Sequence, residues 1–140
     1  MEGTLFLTRT ALFDSGVHRQ KRAGIAGGAQ GAESVLLSGG YENDQDQGNT
    51  ILYTGQGGVD PETGKQRADQ ILARGNTALV RSIAQQTPVR VIRGAGHAHP
   101  LSPPVGYLYA GLYHVAWAVY EPGKSGFWVW RFALLKLPSA

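Results

Sequence analysis

GLYHVAWAVYEPGKSGFWVWRFALLKL, residues 111–137, contains two apolar arms separated by EPGKSG at 121–126. In the second arm Trp128, Trp130, Phe132 and Leu134 recur at every other position, the period at which strand side chains share one face. Pro122, Gly123 and Gly126 supply the turn between the arms. The pattern predicts a β-hairpin, with Trp117, Trp128 and Trp130 packed in the sheet or core.

The segments upstream are also strand-like and short. SVLLS (34–38) and TILYT (50–54) are apolar runs with glycine-rich neighbours. PVRVIR (88–93) alternates imperfectly, because Val89 and Val91 share one face while Arg90 and Ile92 share the other. One region reads as helix, RADQILARGNTALVRSIAQQ (67–86), where Ile71, Leu72, Leu79 and Ile83 fall at helical spacing. Gly75-Asn76 divides it into two pieces, with Asn76 as N-cap of the second, and Thr87-Pro88 ends it. The expectation is an α+β chain, mostly β, forming a curved sheet or partial β-barrel with a short helical section. At 140 residues it should be a single domain spanning 1–140.

Composition removes several chemistries. There are no cysteines, which excludes disulfide frameworks, thiolate metal sites and cysteine nucleophiles, and which suits a reducing cytoplasm. No apolar run reaches the ~18 residues of a membrane span, and the start lacks a basic region ahead of its apolar residues. A formal charge of +3 permits a nucleic-acid partner without requiring one. Twenty glycines imply many turns, or backbone that approaches a ligand closely.

Several signatures nearly match and fail. From Gly58 to Gly64 the spacing is one residue too long for a phosphate-binding P-loop, and Gln66 follows Lys65 where Ser or Thr is required. GQGGVD lacks the third glycine of a dinucleotide fingerprint. The stretch from Asp44 and Asp46 has Gly48 one place early for a calcium loop, and Gly55 stands where the closing Glu belongs. His97 and His99 would meet one metal if they lay on a strand, but the sequence offers no third ligand. His18 and His114 read as satisfied structural histidines.

What remains is GGYENDQDQGNTILYTGQGG, residues 39–58, in which Tyr41, Asp44, Tyr53 and Thr54 are wrapped in glycine. If the polar loop folds back on the strand that follows it, two phenol rings face across a slot with a carboxylate at its edge. Such a slot fits a flat, polar, π-faced object, and a nucleobase is one. Stacking on an aromatic ring is worth ~1–3 kcal/mol per base, and extruding a base costs a few kcal/mol, so two rings roughly offset one extrusion. The plainer readings are that both tyrosines are strand-edge aromatics and that Asp44 caps its own loop.

This stretch resembles the signature of the SRA domain (SET- and RING-associated, also called YDG), in its compact bacterial form. The similarity continues through DPETGKQRADQ (60–70), RGNTALVRSI (74–83), PVRVIRG (88–94) and GKSGFWVWRF (123–132), with AGIAGG (23–28) in the place of the family's first loop. The resemblance implies the PUA-like partial barrel of that family and a reader of 5-methylcytosine that flips the modified base into a pocket. Tyr41 and Tyr53 would sandwich the base, and Asp44 would accept a hydrogen bond from its exocyclic amine. Thr54, with backbone around Ser38 and Gly39, would complete the edge contacts, and Gln56 would stand near the pocket. Two loops would enter the duplex from opposite grooves. Arg19, Lys21, Arg22, Ala23 and Gly24 belong to the first; Lys65, Gln66 and Arg67 belong to the second.

The implied partner is double-stranded DNA containing modified cytosine, with no cofactor, no metal and no membrane, in a bacterial cytoplasm at the nucleoid. Bacterial members are often joined to an HNH nuclease in modification-dependent restriction. No His-Asn-His arrangement of that kind is visible in this sequence, so recognition is the role implied for this chain. A glycosylase-like enzyme using the same slot is the alternative. The sequence departs from the family at its namesake motif, where Tyr109-Ala110-Gly111 lacks the Asp. It also lacks the Asn-Lys-Arg tip of the second loop, whose space Gln66 or Arg67 would fill. Ionised Asp44 would separate cytosine sharply from thymine, whereas one methyl, worth ~0.8 kcal/mol of burial, is a weaker signal.

Overall fold

The structure is a computed structural model and describes residues 1–39 and 41–138; Gly40 of the GGYEND motif and the last two positions lie outside the described residues. In chain order the elements are β1 (Leu5–Phe6), α1 (Arg9–Asp14), β2 (Ile25–Gly28), β3 (Gly31–Leu37), β4 (Gln45–Asp46), β5 (Thr50–Thr54), α2 (Arg74–Gln85), β6 (Val89–Gly94), β7 (Tyr107–Pro122) and β8 (Trp128–Lys136). The strands form one curved, unclosed sheet in the order β2-β3-β6-β7-β8-β5-β4, with β1 added to β7. The mostly β architecture with a small helical part is thus as the sequence predicts. No helix among the described residues is long and apolar enough to cross a membrane.

The C-terminal hairpin forms as predicted, β7 pairing antiparallel with β8. Phe132 and Leu134 are fully buried. Two of the three tryptophans depart from expectation: Trp117 follows a register shift after Val115, and Trp128 is the first residue of β8. Trp117 and Trp128 are 50% and 43% exposed, while Trp130 stacks with Phe132 and tilts against Tyr120.

β6 shows why its alternation is imperfect. It is an interior strand, parallel to β3 and antiparallel to β7. One face joins Val89 and Val91 to the main apolar cluster with Val35, Leu37, Leu79 and Phe132. The other joins Ile92 to Leu12 of α1, Val17, Leu36 and Tyr109. A strand covered on both sides has no polar face to display.

The helical region is one helix, not two. Residues 67–73 are not helical, since Arg67 and Ala68 give their N–H groups to Gly58 O and Gln70 gives its N–H to Trp128 O. Ile71 and Leu72 are consequently 71% and 50% exposed. The N-cap of α2 is Ala73, with no side-chain cap, and Asn76 lies inside the first turn. Leu79 is fully buried, and α2 packs on β2 and β3. Two elements went unread in the sequence. α1 is six residues capped by the Thr8 side chain at Ala11 N–H, too short to display periodicity. The stretch read as a loop at 23–28 contains β2, which hairpins tightly onto β3; a Cβ on Gly27, at φ 147°, would stand 2.5 Å from Ala32 Cα.

Candidate nucleic-acid interface

β4 pairs antiparallel with β5, Gln45 opposite Leu52, and so turns the 41–44 loop back over the end of β5. Asp44 Oδ1 accepts the Thr54 backbone N–H at 2.7 Å. Tyr53 is 3% exposed, and its hydroxyl reaches Gly24 O at 3.2 Å and Leu36 O at 3.3 Å. Tyr41 is half-buried, its hydroxyl accepting the Gly57 N–H at 3.2 Å. The structure therefore brings Tyr41, Asp44, Tyr53 and Thr54 together.

Their electrostatics are coupled. Burial raises the Asp44 carboxyl to about 6, against the opposing effects of Thr54 hydrogen bonding and the nearby His97 and Arg131. Burial also raises the Tyr53 phenol, which the Asp44 and Tyr41 charges raise further. Burial does the same for Tyr41, again with Asp44 adding to it. The Thr54 hydroxyl lies near enough to favour ionised Asp44, yet it is buried and completes no hydrogen bond of proper geometry among the described residues.

Ser38 and Gly39 are exposed at the end of β3. Gly39, at φ 81°, lies flat on the 94–97 turn, where a Cβ would come within 2.3 Å of Gly96 O. Gln56 is placed differently from the sequence reading. Its side-chain oxygen accepts the Gly75 N–H at 3.3 Å, which commits the side chain to the start of α2.

Beneath the loop lies a network that sequence reading did not assemble. Arg93 is 4% exposed and grips Asp46 with two nitrogens at 2.7 and 2.9 Å. His97 Nε2 donates to Asp46 Oδ2 at 2.9 Å, and His99 Nε2 donates to Asp46 O at 2.9 Å. Burial opposes ionisation of Asp46, but hydrogen bonds from Arg93, Gly48 and His97 hold its carboxyl well below the usual range. His97 and His99 therefore do have a third companion, supplied by Asp46, and they sit in a turn, not on a strand. Arg93 holds both oxygens of that carboxylate, and both nitrogens of His99 are engaged. The arrangement is that of a brace under β4.

The two loops expected to enter the grooves are anchored at their bases. Arg9 of α1 donates to Gln20 O at 2.8 Å and Ala23 O at 3.1 Å, and fully buried His18 bridges Ala23 O and the Ser34 hydroxyl. Gly24 O receives the Leu36 N–H and the Tyr53 hydroxyl, so this loop is tied directly to Tyr53. Arg19 is paired with Glu33, Lys21 lies over the Phe13 ring, and Arg22 is exposed. In the second loop Asp60 and Gly64 close the tip through backbone bonds, leaving Lys65 and Arg67 exposed. Gln66 departs from expectation. It is 6% exposed, with its amide donated to Gly57 O and Ala68 O, so it shapes the loop from inside.

Four further residues position the site. Gln70 donates to Gly55 O at 2.6 Å and accepts the Trp130 N–H at 2.9 Å. Asn76 accepts the Gln56 N–H at 2.8 Å. Arg131 donates to Asn43 O, and Asn43 Oδ1 accepts the Lys124 N–H, which fixes the loop carrying Asp44 to the β7–β8 turn. Only the polar amides in otherwise structured segments signalled such roles in the sequence.

A domain model described as SAD/SRA matches residues 2–140. The chain belongs to the SAD/SRA family. It is 40% identical over 143 residues to the histone-lysine N-methyltransferase family member SUVH9 of Arabidopsis thaliana, covering 96% of this chain and 22% of that protein. The chain thus spans about a fifth of the length of the curated relatives it matches. Among solved structures it superposes on the modification-dependent TagI restriction endonuclease with a TM-score of 0.93 at 45% identity, covering 99% of this chain and 50% of that one. It also superposes on the SRA domain of SUVH5 in complex with hemimethylated CG DNA, with a TM-score of 0.81 at 37% identity and coverage of 99% and 89%. The same SUVH5 domain bound to fully hydroxymethylated CG DNA gives a TM-score of 0.81 at 39% identity, covering 99% and 89%.

Proposed function

We propose that this SRA domain reads modified cytosine in double-stranded DNA by taking the base out of the helix into the slot bounded by Tyr41 and Tyr53. The observation that carries the reading is the unfinished polar edge beside two phenols. Asp44 has one oxygen fixed by the Thr54 N–H, and the buried Thr54 hydroxyl lacks a completed bond among the described residues. A carboxylate oxygen accepts the exocyclic amine of cytosine and repels the carbonyl that thymine presents at the same position. A site whose polar groups must be paired discriminates strongly against the wrong partner. Tyr53 forms the rigid inner wall and Tyr41 the outer one, while Lys65, Arg67 and Arg22 meet phosphates and grooves.

Complexes of SUVH5 with hemimethylated and hydroxymethylated DNA support this ligand class. Similarity to a modification-dependent restriction endonuclease, half of which this chain covers, supports a place as the recognition part of a restriction system, working with an HNH-type nuclease. Anisotropy titrations against matched duplexes bearing cytosine, 5-methylcytosine or 5-hydroxymethylcytosine test the reading. A preference for modified duplex that Asp44→Ala abolishes is expected; equal affinity for all three in both proteins refutes it.

A further inference from the structure

A concavity of about 590 Å³ is bounded on one side by Gln20 and Ala23 of the first loop and on the other by Gln56, Arg74, Thr77 and Arg81. Arg74, Thr77 and Arg81 are spaced three and four residues apart and so share one face of α2. None of the described residues lining the cleft is acidic. The Arg74 side chain has no hydrogen bond or ion pair among the described residues, and that of Arg81 has only Gly28 O at 3.3 Å. Both side chains are exposed.

Arg74 is unusual in its backbone as well. Its φ of 49° lies in the left-handed region that L residues rarely adopt, directly after the extended Ala73. Such conformations persist where the surroundings hold them and cluster at ligand sites. Two backbone N–H groups at this helix end are already used, Gly75 by Gln56 and Asn76 by Ala73. The formal charge that the cleft offers an anion is that of the two guanidinium groups.

We infer that this cleft holds the phosphodiester backbone of the strand whose base enters the slot, with Arg74 and Arg81 as its phosphate ligands. The inference rests on the DNA-reading function proposed above. Continuity supports it. Gln56 is two residues from Thr54, and Gly24, next to Ala23, receives the Tyr53 hydroxyl, so the chain runs directly from the cleft's lining to the proposed slot on both sides. Seven residues of helix separate the arginines by ~10 Å along the axis, over which one DNA strand presents about three phosphates. Guanidinium forks suit phosphate oxygens better than ammonium groups do.

The test is a salt titration of binding to modified and unmodified duplexes for the wild type, R74Q, R81Q, the double variant and R74K/R81K. Each Gln substitution should weaken binding severalfold and equally on both duplexes, leave the preference ratio intact, and lower the log–log salt slope by about 0.9. The double Lys variant should recover most of the slope, and unchanged thermal midpoints establish folding. A double Gln variant with the wild-type slope overturns the inference, as does a loss confined to modified duplex. Wild-type protein that binds both duplexes equally refutes base reading alone, and the slope comparison still decides the cleft. Absence of any duplex binding overturns both.

Discussion

Thr54 gives its backbone N–H to Asp44 Oδ1 at 2.7 Å while its own buried hydroxyl completes no bond among the described residues. One residue thereby fixes one oxygen of the carboxylate through its backbone. Asp44→Asn should preserve shape but place an amide where an acceptor is needed. The expected result is a loss of at least about tenfold in affinity for modified duplex, corresponding to ~1.4 kcal/mol. Affinity for unmodified duplex should change little in the same titration.

Acid should blunt the discrimination between cytosine and thymine at the target position. Asp44 has its carboxyl raised to about 6 by burial, against 3.8 ordinarily. It is therefore mostly ionised at pH 7.5 and mostly neutral at pH 5. The neutral form no longer repels a carbonyl oxygen and can donate to one. Competition between 5-methylcytosine and thymine duplexes, followed from pH 7.5 to 5, should show the affinity ratio shrinking through pH 6.

The two tyrosines should separate stability from binding. Tyr53 is a core residue, so Tyr53→Ala should cost ~3–5 kcal/mol of folding stability. Tyr41 is half-buried with one hydrogen bond, so Tyr41→Ala should leave the denaturant midpoint nearly unchanged. It should reduce affinity for modified duplex by ~1–3 kcal/mol, one stacking contact. Urea unfolding and anisotropy on the same two variants check both halves.

His18 gives stability a pH dependence of its own. Desolvation, with help from Arg9 and Arg90, lowers its pKa to about 4 from 6.5, although the Ala23 carbonyl opposes this. Between those values the unfolded chain binds a proton that the folded chain refuses, so stability falls as pH falls from 6.5 to 4 and levels off below. The full window is worth about 3 kcal/mol. Over pH 3.8 to 6 Asp44 acts in the opposite sense, because its folded form is the one that holds the proton. Urea unfolding of wild type and His18→Gln across pH 4 to 7 should show the variant losing less stability on acidification.

Much of this was legible in residues whose neighbours in sequence are also neighbours in space. TILYT is β5 to the residue, and Tyr41, Asp44, Tyr53 and Thr54 meet because β4 and β5 form one short hairpin. Side chains that serve distant backbone were not legible. Gln56 and Gln66 sit within the expected site sequence, yet their amides complete loops and the start of α2. Trp128 fits the strand period but stands exposed at the first position of β8, and Trp117 follows a register shift in the β7–β8 pairing. Nothing in the sequence marks the roles of Arg9, Arg93 and Arg131, each of which is held against carbonyls or a carboxylate contributed from 11 to 88 positions away.

The most direct measurement is a crystal structure of this domain with a duplex carrying one 5-methylcytosine. The account predicts that pyrimidine outside the stack, between the Tyr41 and Tyr53 rings, with its amine within hydrogen-bond distance of Asp44. A bound duplex in which every base remains stacked and Asp44 contacts none of them would contradict it.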